Sequence, residues 1–228
     1  MDYSDWVLVV TSLFLGATAL FVPWLAELVK RKAFAPKLKV RFDLAPPYCI
    51  KTYWHSPTKP ELEEPVYYFR FEVTNDGQSQ ARHCEAVLEE LWIYDPPERP
   101  HRVPSFSPVN LRCDGRDSLD INPHRRGIYW AMGHISSSSY QQREERSIFI
   151  DVPDRQGDHL RFLFDLVHYP YSQPSCLAPG GYAIKVAVYS ENAPSQEVCF
   201  KIVWSGQWRD TEQDMFREMV VQRIDSIR

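Results

Sequence analysis

Apolar and polar residues alternate in several short segments of the chain, and a period of two predicts β-strands. In "LKVRFDL" (38–44) the apolar residues Leu38, Val40 and Phe42 alternate with charged ones, and "VYYFRFEVT" (66–74) repeats the pattern. The other predicted strands are "SLDINP" (118–123), "GIYWAMGHI" (127–135), "SIFIDVP" (147–153), "LRFLFDLVHY" (160–169) and the hairpin "LAPGGYAIKVAVYSENAPSQEVCFKIVW" (177–204).

Two further segments carry helical spacing. In "ARHCEAVLEELWIY" (81–94) the apolar positions fit a helix or a strand, and the turn residues "NDGQS" before it and "DPPERP" after it favour a strand. In residues 209–228 apolar residues recur at intervals of three and four, which predicts an amphipathic helix. Thr211 with Asp214, or Asp210 with Gln213, offers its N-terminal cap.

An uncharged apolar run precedes the strands. Trp6 to Ala26 spans 21 residues without a charged side chain, enough at about 1.5 Å per residue to cross the ~30 Å hydrocarbon layer. This predicts a transmembrane helix over residues 6–29. A cleaved signal peptide and a buried core helix are the alternatives, but the N-terminal "MDYSD" lacks the positive charge of a signal peptide.

Positive charges lie on one side of this run only. Six Lys and Arg residues follow it before residue 42 and none precedes it, so the positive-inside rule places the C-terminal domain in the cytoplasm, held by a single span in the inner or plasma membrane. The residues expected at the membrane interface are Trp6, Trp24, Lys30, Arg31 and Lys32.

Turn signals between seven or eight short strands are typical of an antiparallel β-sandwich. The predicted fold class is therefore mainly β, with an N-terminal transmembrane helix, a sandwich and a C-terminal amphipathic helix. The boundaries are a short tail (1–5), the span (6–29), a basic linker (30–37), the β-sandwich (38–208) and the terminal helix (209–228).

Charge and cysteine content narrow the function classes. Beyond residue 41 the chain has 20 basic and 27 acidic residues, a formal charge of −7, whereas a non-specific nucleic-acid binder is normally basic. The cysteines are odd in number, widely spaced and without a C-x-x-C pair, which favours free thiols in a reducing compartment. A single Cys84–Cys199 bridge between two sheets is the alternative, and it would suit export.

Two motifs resemble a known family. "FRFEVTNDGQSQARHCEAVLEELW" resembles the opening of bacterial Ig-like modules of the CARDB type, and "LAPGGYAIKVAVYSEN" is similar to the late "PG-x-Y" strand of Ig-like domains, with Tyr182 as a candidate tyrosine corner. The whole chain resembles bacterial single-span proteins with a C-terminal "W-S-G-x-W" segment. The resemblance implies an Ig-like sandwich and no catalytic residue.

The sequence contains no G-x-S-x-G, Walker, G-x-G-x-x-G or H-E-x-x-H motif. The seven histidines show no i, i+4 pair, and His83 and Cys84 are adjacent, so they face opposite sides of a strand. We therefore expect no catalytic residue, metal site or cofactor.

The stretch "DGRDSLDINPHRRGIYW" (114–130) is the richest in functional side chains. Guanidinium groups bind phosphate and carboxylate bidentately, so we predict an anion site there. Its candidate residues are Arg116, His124, Arg125, Arg126 and Trp130. The alternative is a solvated loop leading into a core strand, where acidic residues as close as Asp114, Asp117 and Asp120 can simply pair with the arginines.

Three functions follow from these patterns. The favoured one is a membrane-anchored, non-enzymatic interaction module whose cytoplasmic sandwich binds a protein partner. The second is a cytoplasmic sensor of a nucleotide or another anion that signals to the span, and the third is an exported envelope or adhesion-like domain. Association of the chain with a second copy of itself is compatible with each of these functions.

Overall fold

A computed structural model describes residues 33–56, 59–95, 99–113, 116, 118–136, 160–169 and 173–227, and, before them, residues 6, 11, 18–19, 21–27 and 29–30. The strands are β1 (Leu38–Arg41), β2 (Cys49–Ser56), β3 (Lys59–Asn75), β4 (Ala81–Asp95), β5 (Arg99–Arg102), β6 (Val109–Asn110), β7 (Leu119–Ile121), β8 (Ile128–Ser136), β9 (Phe162–Phe164), β10 (Cys176–Leu177), β11 (Gly180–Ser190), β12 (Ala193–Trp204) and β13 (Met219–Ile224), with one C-terminal helix, α1 (Glu212–Glu218).

The described strands form two antiparallel sheets packed as a sandwich. The first sheet has the order β1-β3-β8-β9-β10, with β2 also paired to β3, and the second has the order β13-β12-β11-β4-β5, with β6 and β7 also paired to β4. Alternate residues of each strand point between the sheets, which is why the sequence alternates.

Large aromatic side chains fill the space between the sheets. The completely buried ones are Tyr67, Phe69, Phe71, Trp130, Phe162, Phe164, Phe200 and Trp204. Edge-to-face contacts join them, with the rings of Phe69 and Phe162 5.7 Å apart and those of Phe162 and Phe164 5.6 Å apart. Burial of so much apolar surface is the main stabilising term of the fold.

Two segments close the sides of the sandwich. The chain after β6 bridges the two sheets. The backbone N–H of Leu111 donates to the carbonyl of Ala86 in β4 of the second sheet, and the carbonyl of Arg112 accepts from the backbone N–H of Ala131 in β8 of the first. On another side, the carboxylate of Glu212 in α1 accepts from the backbone N–H of Lys51 at 2.8 Å.

The segment 81–94 is a strand, as predicted, and a bulge explains its helical spacing. Leu88 pairs with Val186, but Glu90 pairs with Lys185, so Glu89 is an extra residue in β4. The bulge brings Leu88 and Leu91 to the same buried face although they are three residues apart.

The prediction of a helix over 209–228 is wrong beyond Glu218. The helix α1 does begin with a Thr211 cap, whose hydroxyl accepts from the backbone N–H of Asp214, but residues 219–224 form β13. Met219 and Val221 face the core while Val220 and Gln222 are exposed, and β13 pairs with β12. Pairing of the otherwise open edge of β12 overrides the helical spacing, and β-branched residues favour it.

Other predicted boundaries also change. The sandwich extends past residue 208 to Ile224, the predicted connection 95–118 contains β5 and β6, and only Phe162–Phe164 of the segment 160–169 is a strand. The strand β2 was not predicted, and the predicted strand 147–153 lies outside the described residues.

Much of the predicted transmembrane segment, together with Arg31 and Lys32, lies outside the described residues. Residues 21–27 and 29–30 are helical, and the side chains of Trp6, Phe21, Trp24 and Val29 are exposed. None of the helices in the described part of the chain has both the length and the apolar character that a membrane crossing requires.

Candidate functional site

The structure separates the residues of the predicted anion site. Trp130 is 0% exposed and lies in the core opposite Phe71 of β3, so its ring is closed to a ligand. His124, Arg125 and Arg126 lie in an exposed turn before β8, whereas Arg116 is exposed elsewhere, with its backbone hydrogen-bonded to that of Cys113. Asp114 and Asp117 lie outside the described residues.

The turn that carries Arg125 and Arg126 belongs to one end of the sandwich, where four connections meet. These are the linker 35–37 before β1, the turn 76–80 after β3, the turn 122–127 between β7 and β8, and the turn 191–192 between β11 and β12. The linker is the one that leads from the N-terminal segment, so this end is the one next to the predicted span.

Asn75, which is 1% exposed, connects three of these segments. Its Oδ1 accepts from the backbone N–H of Lys37 at 3.0 Å and of Gly77 at 2.9 Å, and its Nδ2 donates to the carbonyls of Ser79 at 2.7 Å and Ile121 at 3.0 Å. Its own carbonyl accepts from the backbone N–H of His124. The hydrogen-bonding capacity of the buried amide is therefore well matched by its partners.

Close packing reinforces these bonds. A Cβ atom on Gly77 would lie 2.4 Å from the carbonyl oxygen of Ala35 and 2.6 Å from the Cα of Pro36, so only glycine allows the linker to approach so closely. On the other side, the Asn192 amide donates to the carbonyl of Gln80 at 2.9 Å, and the Gln80 amide donates to Asn122 at 3.2 Å. The four connections thus form one hydrogen-bonded unit.

The basic side chains at this end are directed to solvent. We call Lys37, Arg82, Arg125 and Arg126 the basic end of the sandwich. All four are exposed, and the ion pairs found within the described residues involve none of them.

The acidic side chains at the same end have other partners. A carboxylate oxygen of Asp120 accepts from the backbone N–H of His83 at 2.9 Å, Glu191 lies 3.8 Å from the imidazole of His83, and Asp76 lies 3.5 Å from the hydroxyl of Thr74. The structure therefore shows the predicted alternative of a solvated loop leading into a core strand, while the ion pairs found among the described residues do not join Asp120 to an arginine.

Two residues at this end adopt a left-handed backbone. His83 has φ 47° and His124 has φ 53°, and within the described part of the chain they are the non-glycine residues with positive φ. A left-handed conformation costs an L-residue roughly 1–2 kcal/mol, and such strain is concentrated at functional sites more often than elsewhere. The backbone N–H of His124, in this conformation, donates to the carbonyl of Asn75.

A second surface lies at the opposite end of the second sheet, on its outer face. We call Trp92, Tyr94, Val203 and Val220 the distal patch. Val203 and Val220 are paired across β12 and β13 and are 43% and 37% exposed. Tyr94 lies against Gly181. The Lys201 ammonium is 5.2 Å from the centroid of the Tyr94 ring.

A row of charges separates the distal patch from the basic end. The Lys185 ammonium lies 2.9 Å from Glu197 and 3.2 Å from Glu89, and the Tyr189 hydroxyl donates to Glu89. The hydrogen bond to Glu197 raises the pKa of Lys185, and that to Glu89 raises the pKa of Tyr189. These pairs fix polar side chains midway along β11.

The outer face of the first sheet carries a half-buried histidine, His134. His134 stacks on Tyr68 at 5.3 Å between ring centroids. Burial lowers the pKa of His134 to about 4, helped by the nearby charge of Arg112. The described residues contain no group of three or more His, Cys, Asp or Glu side chains arranged to hold a metal, and the expected lack of an enzymatic activity stays a prediction.

The five cysteines all lie among the described residues and form no disulfide there. Cys84 in β4 and Cys199 in β12 lie in the same sheet with β11 between them, which puts them at least about 9 Å apart at strand spacing, too far for a disulfide. The alternative of a bridge between two sheets is therefore wrong.

Comparison with family models, with curated proteins and with solved structures finds no match to this chain. The β-sandwich that the CARDB resemblance implied is present, and membership of that family stays a prediction.

Proposed function

We propose that the chain is a membrane-anchored, non-enzymatic interaction module whose cytoplasmic Ig-like sandwich binds a protein partner through the distal patch. The uncharged run from Trp6 to Ala26 and the basic residues after it support the anchor and its orientation. The motifs shared with CARDB-type modules support an Ig-like interaction domain.

The observation that carries the protein-binding role is the exposure of paired valines beside two aromatic residues. Val203 and Val220 lie side by side on the outer face of the second sheet, where a monomeric sandwich usually places polar side chains. Aromatic residues such as Trp92 and Tyr94 are enriched where proteins bind one another.

The position of the patch also fits this role. It lies where β11 begins, and the basic end lies where β11 ends, nine residues further on, or about 30 Å at the rise of a strand. A partner bound at the distal patch therefore lies away from the linker that leads to the membrane.

Site-specific photocrosslinking in living cells tests this proposal. A benzophenone amino acid replaces Val203 or Val220 in the full chain, and Gln213, an exposed residue of α1, serves as the control position. We expect one discrete protein adduct from both valine positions and none from position 213.

A second variant makes the result specific to the apolar surface. Val203→Lys should abolish the adduct formed from position 220. Equal adducts from the patch and the control position, or an adduct unchanged by Val203→Lys, would contradict the proposal, and an adduct of twice the chain mass would identify the partner as a second copy.

A further inference from the structure

The basic end and the linker at residues 35–37 are held in a fixed relation. Lys37 is bonded to Asn75, and the turn of Arg125 and Arg126 is bonded to the same residue through His124. The eight residues from Val29 to Lys37 span at most about 29 Å even when fully extended, and a backbone hydrogen bond from Phe34 to Lys30 shortens this path. The arginines therefore lie close to the point where the predicted span leaves the membrane.

The distribution of charge along the domain is uneven. The four cations of the basic end lie beside three exposed carboxylates, those of Asp76, Asp120 and Glu191, so this end has a formal charge of +1, whereas the remainder of residues 42–228 carries −7. An anionic surface thus attracts this end and repels the remainder of the sandwich.

The side chains suit lipid phosphates. Guanidinium groups bind phosphate oxygens bidentately, and basic residues near an anionic leaflet are attracted within a Debye length of about 8–10 Å. A nucleotide would also require a stacking ring or a cavity, but Trp130 is buried in the core.

We propose that the basic end is a docking surface for the phosphate groups of anionic lipids in the membrane that anchors the chain. Docking holds the sandwich upright, with the distal patch directed away from the bilayer. This inference rests on the membrane anchor of the proposed function and adds an orientation that a flexible tether alone would not give.

Hydrogen exchange of the full chain in lipid nanodiscs tests this inference. The discs contain phosphatidylcholine alone or mixed with phosphatidylglycerol, and exchange is compared for peptides that cover residues 120–127 and for peptides of the distal patch. We expect slower exchange of residues 120–127 in the anionic discs, no change at the distal patch, and loss of the effect at high salt.

A pair of double variants with equal change in charge shows whether the arginines are responsible. The double variant Arg125→Ser, Arg126→Ser should lower the equilibrium constant for docking about 25-fold, because each basic residue near an anionic surface contributes roughly a factor of five. The control, Arg102→Ser with Arg217→Ser, removes two arginines from elsewhere in the sandwich and should leave the protection unchanged.

The remaining outcomes separate the two proposals. A chain that inserts in both kinds of disc and exchanges equally in both would overturn lipid docking alone, as would protection that survives the loss of Arg125 and Arg126. Equal protection produced by a soluble inositol phosphate in neutral discs would assign the surface to a free anion instead. A chain that enters neither kind of disc would overturn the anchor and this inference with it.

Discussion

Replacement of Asn75 tests whether the end of the sandwich next to the predicted span is held together as the structure indicates. Asn75→Ala leaves the backbone N–H of Gly77 and the carbonyl of Ile121 unpaired in a buried environment. An unpaired buried polar group costs about 1–3 kcal/mol, so we expect the free energy of unfolding to fall by about 2–6 kcal/mol. Asn75→Asp keeps the acceptor but sets a carboxylate oxygen against two carbonyls, so we expect it to be at least as destabilising at neutral pH.

Urea unfolding of the full chain in a mild detergent, followed by tryptophan fluorescence, measures these changes. The matched control is Asn122→Ala, because Asn122 lies at the same end but is exposed and accepts one bond from Gln80. We expect this control to stay within about 0.5 kcal/mol of the natural chain. If Asn75→Ala has the same midpoint as Asn122→Ala, the connections are not joined through Asn75 and the fixed position of Arg125 and Arg126 is wrong.

Three further predictions follow from burial. Folded His134 has a pKa of about 4, whereas the unfolded residue takes up a proton near pH 6.5. The free energy of unfolding should therefore be highest above pH 6.5 and fall by about 3 kcal/mol as the pH falls towards 4. His134→Gln should remove this part of the pH dependence of urea unfolding, and the control His168→Gln, at an exposed site, should retain it. A thiol reagent should label half-buried Cys199 well before Cys49, since burial raises the pKa of Cys49 to about 12, and mass spectrometry showing the reverse order would contradict the burial of Cys49. Tyr182→Ala should lower the free energy of unfolding by about 2 kcal/mol, because the half-buried ring packs against the core, and an unchanged urea midpoint would show that the ring is exposed.

The sequence predicts the sandwich because its strands alternate, and it fails where a local pattern fits two elements. The hairpin of β11 and β12 appears as expected, with Ile184, Val186 and Val188 buried. Residues 219–224 satisfy both helical spacing and alternation, and only the open edge of β12 decides between them. A bulge such as that at Glu89 in β4 is likewise invisible without the partner strand.

Anion binding by the stretch 114–130 stays a prediction, and the sequence named two residues of the basic end. The cluster of charged residues identified Arg125 and Arg126, whose side chains are exposed, but sequence proximity wrongly joined them to Trp130, which alternation in β8 turns into the core. Asn75 was predicted only as a turn residue. Its role depends on Lys37 and Ile121, 38 and 46 residues away, and no local pattern reports such contacts.

The distal patch was missed for a similar reason. Val203 and Val220 come from segments predicted as a strand and a helix, so nothing in the sequence placed them side by side. The signal that could have revealed the pairing is the run of β-branched residues after Met219, which favours a strand over the helix.

The proposed function requires that a membrane anchors this chain and that the sandwich faces the cytoplasm. The most direct measurement is the fluorescence of a green fluorescent protein fused to the C-terminus of the full chain in bacterial cells, followed after the membranes are washed with alkaline carbonate. We expect bright fluorescence that stays with the washed membranes. Fluorescence in the soluble fraction would contradict the anchor, and abundant but dark fusion protein, as expected for a fusion exported unfolded, would contradict the orientation.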